Sequence, residues 1–193
     1  MTAGSDARKW DARYADADPA AAVPARVLSE NLHLLPPGGD ALEPACGLGA
    51  NALLLAARGF RTRAWDISAT ALQRLAATAA AAGLGIETRT VDLTRHDFAG
   101  EQFDVIVVSR FLERAIIPAL IDALRPGGLV YYQTFVKDSP EPGGPSNPAY
   151  RLACNELLQL FDSLQLLVYR EEGRAGDVSA GFRGEAMLVA RKP

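Results

Sequence analysis

An α/β fold with one mostly parallel sheet covered by helices is what this sequence predicts. Three observations lead there. Beyond Asp40, short apolar runs rich in Val, Ile and Tyr alternate with longer Ala/Leu-rich segments, the rhythm of strands joined by crossover helices. The first of those runs breaks into a turn with two glycines, LEPACGLGAN (Leu42 to Asn51), the kind of strand-to-helix junction at which α/β sheets hold nucleotides. Finally, 193 residues of which 49% are hydrophobic suffice for the core of one domain, so residues 1–193 are expected to form a single unit.

The elements follow in order. Two helices, 7–14 and 23–34, are expected before the sheet, the second with Pro24 in its first turn, where a missing N–H is harmless; residues 1–35 then form a helical cap. Strands are expected at 41–43, 61–66, 86–91, 103–109, 129–135, 165–170 and 185–190, seven in all. Between them, 50–58 reads as a helix stopped by Gly59, and Ser68 caps an alanine-rich helix that runs to Ala82 and stops at Gly83. Leu72 and Leu75 give that helix its buried edge, and alanine is the strongest helix former. Further helices are expected at 117–124 and 155–161. The segment KDSPEPGGPSNP, 137–148, excludes both helix and interior strand. A loop of that length after a strand lies at the carboxyl edge of the sheet, where such sheets bind ligands, so 137–151 is expected on the acceptor side.

Composition excludes several classes. A net charge of −3 gives no general attraction to a phosphate backbone, so no nucleic-acid partner is expected. No apolar run approaches the roughly 20 residues of a bilayer crossing, and MTAGSDARKW carries no apolar signal segment, which predicts a soluble cytoplasmic protein without membrane partners. Cys46 and Cys154 form neither a CxxC pair nor a disulfide framework and are expected reduced and packed. His33 and His96 share no spacing with them, so no metal is expected. Nothing in the sequence signals an oligomeric state.

The glycine turn poses the functional question. Gly47 to Ala52 satisfies G-x-G-x-x-A and Asp66 closes the next strand, so a nicotinamide dinucleotide is the first reading. However, Glu43-Pro44-Ala45-Cys46 intervenes between strand and glycines, and a carboxylate beside a pyrophosphate is repulsive. The same carboxylate suits a ligand with a positive amino group, while bare glycines let the backbone pass close beneath it. S-adenosylmethionine has that chemistry. Asp66 would accept its ribose hydroxyls, Asp92 its adenine amine with Leu93 over the ring face, and Ser109-Arg110 would line the methionine moiety and the exit toward an acceptor.

With these residues in place the sequence resembles the class I S-adenosylmethionine-dependent methyltransferases, and within them the small tellurite-resistance-like group. LEPACGLGANALLLAARGF is similar to the first motif of that group, RTRAWDISATAL to the second, VDL to the third, FDVIVVSRFLER to the fourth and ALRPGGLVYYQTF to the fifth, covering about residues 10–161. The resemblance implies a Rossmann-like seven-stranded sheet of order 3-2-1-4-5-7-6 with strand 7 antiparallel. It places the donor against Glu43, Gly47, Gly49, Asn51, Asp66, Ile67, Asp92, Leu93 and Ser109, with Trp10 and Tyr14 of KWDARY capping it and Arg13 pairing with its carboxylate. The alternative for Trp10 and Tyr14 is an amphipathic helix face packed on the core. The family more often has Asp where Glu43 stands and often Glu where Gln133 stands.

Methyl transfer from a sulfonium needs alignment and exclusion of water more than it needs a base, and no catalytic residue is assigned. His96, in the polar loop TRHDFAG, is expected to be a solvated surface residue, and His33 to be structural. Asn147-Pro148-Ala149-Tyr150 mimics the N-P-P-Y of base-amine methyltransferases but stands in the long loop rather than after the fourth strand. The acceptor is expected to be a small molecule held by Arg110, Phe111, Tyr150 and Arg151. Arg110, Arg114, Lys137 and Arg151 together suggest an anionic acceptor or a soft nucleophile, against the alternative that they are solvated surface cations. Cys46 is expected to pack against the strand. An NAD(P)-dependent oxidoreductase and a non-catalytic S-adenosylmethionine-binding protein remain as rival readings.

Overall fold

The structure, a computed structural model, describes residues 3–193, so Met1 and Thr2 of the expected cap lie outside the described residues. Seven strands form one sheet: β1 (Asp40–Pro44), β2 (Arg61–Asp66), β3 (Ile86–Thr90), β4 (Phe103–Ser109), β5 (Leu124–Phe135), β6 (Gln165–Arg170) and β7 (Glu185–Arg191). Their order is β3-β2-β1-β4-β5-β7-β6. The pairs from β3 to β5 are parallel, while β7 runs antiparallel to both β5 and β6. The helices are α1 (Ala3–Tyr14), α2 (Arg26–Ser29), α3 (Ala50–Ala57), α4 (Ala69–Ala81), α5 (Ile117–Asp122) and α6 (Glu156–Leu160). This is the order that the family resemblance implies, and strand positions match the apolar runs closely. No helix among the described residues is long and apolar enough to cross a membrane.

Both faces of the sheet are buried, which is why β4 reads as a continuous apolar run. Its Ile106 and Val108 enter a core with Leu42, Trp65, Leu120, Tyr132 and Phe161, while Val105 and Val107 face Val27, Leu28, Leu55, Tyr131 and Met187 on the other side. A smaller cluster of Cys46, Ala52, Ala64, Leu72 and Leu75 joins the glycine turn, α3 and α4, so Cys46 is a packing residue as expected. Burial pushes its thiol well above the ordinary value. Cys154, in contrast, is exposed rather than packed.

Two elements depart from the pattern. The helix expected over 23–34 is a single turn, α2, followed by a separate 3-10 turn at Leu32–Leu34. Tertiary partners decide this. The Ala25 and Val27 N–H groups go to the side chains of Asn51 (2.8 Å) and Gln133 (2.7 Å), and Asn31 leaves helical geometry at φ −122 while its amide donates back to the Val27 carbonyl. At the other site, β5 begins at Leu124, before Pro126-Gly127-Gly128, which by itself reads as a turn. Leu124 pairs with Phe103 and Leu129 with Val105, so the intervening residues bulge out. Gly128 is required there, because a Cβ would come within 2.9 Å of the Arg125 carbonyl oxygen.

Candidate functional site

The carboxyl ends of β1, β2 and β4 meet around the glycine turn. After Pro44 the chain turns left-handed at Ala45 (φ 52), Gly47 (φ 52) and Gly49 (φ 71), the last serving as N-cap of α3. The two glycines do different work. A Cβ on Gly47 would stand 2.5 Å from the Tyr14 hydroxyl, whereas one on Gly49 would meet the Leu75 methyls at 2.5 Å. Gly47 therefore opens the backbone toward the cap, and Gly49 lets α3 pack on α4.

Glu43, 2% exposed, does not stand free in the cleft. Its Oε1 accepts from Asn51 Nδ2 and its Oε2 from the Ala52 N–H, both at 2.7 Å, so it ties the end of β1 to the start of α3. Burial pushes its carboxyl up to about 8, the nearby Asp66 charge adding to that and the two hydrogen bonds opposing it. Asn51 is a hub: its Oδ1 accepts from the Ala25 N–H (2.8 Å) and its Nδ2 also reaches Ser109 Oγ (3.1 Å). Asp66 closes the other side, accepting from Gly47 N (2.7 Å) and Ser68 N (2.8 Å), and burial raises its carboxyl as well. Glu43, Asn51 and Ser109 are thus joined by hydrogen bonds on one side of the glycine turn, and Asp66 and Gly47 on the other.

Next to Asp66, Ile67 is half-buried and Leu93 is buried. Asp92 is half-buried and caps its own turn, accepting from Thr94 N (3.1 Å) and Thr94 Oγ1 (2.7 Å). α1 lies across the cleft. Trp10 and Tyr14 stack at 6.0 Å, and the Arg13 guanidinium sits 5.5 Å from the Trp10 ring, exposed to solvent. Burial, followed by the charge of Asp66, pushes the Tyr14 hydroxyl up to about 12. α1 is held down from α4: Asp11 accepts from Ser68 Oγ (2.6 Å) and Thr70 N (3.0 Å), and Arg74 donates to the carbonyls of Ala15 and Ala17. The Ser68 hydroxyl and then the Thr70 N–H hold the Asp11 carboxyl below its ordinary value. Asp11 carries no motif weight of its own and sequence reasoning passed over it.

Beyond Ser109 opens a cavity of about 370 Å³. It is lined by Val23 to Arg26, Ser109 and Arg110, Gln133 and Phe135, the loop residues Ser139 to Gly144 and the stretch Gly181 to Glu185. Of the expected acceptor-side residues the structure brings only Arg110 here. Phe111 packs against the core and its carbonyl accepts from Tyr132 Oη at 2.9 Å. Tyr150 is 45% exposed on a 3-10 turn outside the cavity lining, and the N-P-A-Y stretch goes with it. Arg151 bolts the long loop, donating to the carbonyls of Pro145, Val136 and Gly143, and Arg114 does the same from below through Ala149, Arg151 and Glu156. Two of the four cations read as an anion site are therefore occupied in holding the loop.

Sequence reasoning missed Glu185 and the stretch before it. A lone charge opening the apolar strand EAMLVA was the available signal. His96 also differs from expectation: it is half-buried, with its ring 5.0 Å from Trp65 and 4.8 Å from Phe98. Phe98 and Trp65 draw the imidazole off the surface.

Residues 41–128 match the sequence family described as a methyltransferase domain. No curated protein matches the chain significantly. Among solved structures, TehB from Haemophilus influenzae superposes with a TM-score of 0.72 at 22% identity over 95% of this chain and 67% of that one. A structure described under the conversion of a disulfide bond into a thioacetal group during echinomycin biosynthesis gives 0.70 at 25% identity, covering 97% and 92%. Coclaurine N-methyltransferase bound to N-methylheliamine and SAH gives 0.62 at 18%, covering 74% of this chain and 49% of that one.

Proposed function

We propose that this chain, whose residues 41–128 match a methyltransferase-domain family, is a class I S-adenosylmethionine-dependent methyltransferase that methylates a small-molecule acceptor seated in the cavity beyond Ser109. The observation that carries this reading is the meeting of Glu43 and Asp66 at one glycine turn, the first through Asn51 and Ala52 and the second through the Gly47 N–H. The chemistry of these groups fits the donor. Asp66 has the acceptor capacity for ribose hydroxyls, Gly47 presents bare backbone, and Leu93 gives an apolar surface for adenine with Asp92 and Ile67 beside it. An ammonium beside Glu43 favours the ionised form of its carboxyl, whereas a diphosphate there would oppose it. Trp10 and Tyr14 roof the cleft, and Arg13 is the cation on that roof for the donor carboxylate.

When bound, S-adenosylmethionine supplies a methyl group on a sulfonium that a nucleophile takes by in-line displacement. The residues of the chain align and exclude water. α1, latched through Asp11, closes the donor side, and the loops 137–151 and 181–184 wall the acceptor side. Cys46 and Cys154 are unpaired thiols, in keeping with an enzyme of a reducing compartment such as the cytoplasm.

Calorimetric titration with S-adenosylhomocysteine and, separately, with NADH tests the reading. Binding of the sulfur nucleoside alone is expected, with stabilisation of about 2.7 kcal/mol at a hundredfold excess over Kd. Binding of NADH without S-adenosylhomocysteine would favour the oxidoreductase and sink the proposal.

A further inference from the structure

We propose that the acceptor is an organic carboxylate, gripped by the two terminal nitrogens of Arg110 whose direction is set by Glu185 and Gln133. This rests on the methyl-transfer reading of the same cavity. Arg110 follows β4 with φ 54, a conformation that costs a side-chain-bearing residue and persists only where the surroundings impose it. Its N–H is fixed on the Gln133 carbonyl at 2.8 Å. Its Nε donates to Glu185 Oε1 at 2.9 Å, and the other Glu185 oxygen accepts from Gln133 Nε2. Gln133 Oε1 in turn accepts from the Val27 N–H at 2.7 Å. Val27, Gln133, Glu185 and Arg110 form a chain in which each inward-facing polar atom is used.

What is left over is the outer edge of the guanidinium. Among the described residues neither Nη1 nor Nη2 of Arg110 has a partner, although both Glu185 oxygens are engaged. The Arg110 side chain is itself exposed, so this wall of the cavity presents spare donors, not spare acceptors, to an incoming ligand. The neighbouring cations do not compete for a ligand: Arg26 pairs with Glu30 and lies over Phe182, and Arg183 is tied to the carbonyls of Gly173, Asp177 and Ala180. Glu141 is exposed at the rim, where water screens it. A planar fork with two open nitrogens fits the two oxygens of a carboxylate. A volume of about 370 Å³ walled by Phe135, Pro142, Gly143 and Gly144 suits the carbon skeleton behind that group better than a bare inorganic anion. Ser109, adjacent to Arg110, reaches Asn51 and through it Glu43, so a carboxylate on Arg110 is anchored next to the donor cleft.

The test is ligand-observed NMR titration of the protein, saturated with S-adenosylhomocysteine, using benzoate, phenylacetate, benzamide, benzylamine and inorganic phosphate. The carboxylates are expected to bind at least about tenfold more tightly than the amide, the amine or phosphate. Arg110→Gln is expected to remove that preference while S-adenosylhomocysteine affinity stays within about twofold, and Arg110→Lys, which keeps the charge but not the fork, to recover only part of it. Glu185→Gln leaves the cation in place but unaimed, with an expected loss of about three- to tenfold for the carboxylates alone. Preference for benzylamine or phosphate, no binding of either carboxylate, or carboxylate binding indifferent to Arg110→Gln overturns the proposal. Failure of S-adenosylhomocysteine to bind while the carboxylate preference persists would instead overturn the donor reading and leave this one standing.

Discussion

Replacing Asn51 with alanine strikes the joint between the two halves of the cleft. Asn51 is 2% exposed, so its partners gain no water in exchange. The Ala25 N–H loses its acceptor, at about 1–3 kcal/mol for a donor left unpaired, and at pH 9, where Glu43 is ionised, its Oε1 loses a bond of the charge-assisted kind, about 1.5–3 kcal/mol. Together about 3–5 kcal/mol is expected, a large share of the stability of an ordinary domain. The loss carries a pH signature. Below the raised Glu43 value of about 8 the folded carboxyl is largely protonated and depends less on a second donor; above it the ionised form needs Asn51. Urea unfolding at pH 6 and pH 9 should therefore give a larger difference between wild type and variant at pH 9. A loss under about 1 kcal/mol, or one equal at both pH values, would refute the hub role of Asn51.

Three further outcomes follow from the same geometry. Because burial raises Glu43 from 4.5 to about 8, the folded state holds a proton that the unfolded state has released, so its contribution lowers stability as pH rises through that window; Glu43→Gln should flatten this slope in urea titrations. Gly47→Ala is expected to cost about 1–2 kcal/mol for its left-handed backbone plus the clash with Tyr14 Oη, and in a Tyr14→Ala background only the backbone part should remain, as thermal melts of the four proteins will show. Arg114→Ala unties Ala149, Arg151 and Glu156, so limited proteolysis within residues 137–151 should accelerate well before global unfolding does.

The surroundings of the glycine turn were legible in the sequence because their parts are local. Glu43 and Ala52 stand nine residues apart, and Gly47 and Asp66 nineteen. Their spacing records a strand, a turn and a helix start, and apolar runs fixed the central strands β1, β4 and β7 because these are buried on both faces. Where backbone groups are claimed by distant side chains the reading failed. No periodicity reveals that Asn51 and Gln133 take the N–H groups of Ala25 and Val27, so a one-turn α2 looked like a three-turn helix. Proline and glycine signals likewise misplace the start of β5, since pairing of Leu124 with Phe103 overrides them.

The proposed acceptor side is written at long range. Arg110 meets Glu185 across 75 residues, Gln133 meets Glu185 across 52, and Val27 meets Gln133 across 106. Read alone, Gln133 in YYQTF is only a missing acid, but in the fold the amide is what this position requires. Its oxygen accepts from the Val27 N–H while its nitrogen donates to Glu185, and a carboxylate there would serve the first partner and repel the second. With an amide on β5, one buried carboxylate can stand at the start of β7, and its remaining oxygen is free to fix Arg110. The carboxylate proposed to orient the acceptor side thus sits on the antiparallel strand, outside the five motifs that carry the family resemblance, which is why those motifs point to a donor and the acceptor proposal draws on the packed structure.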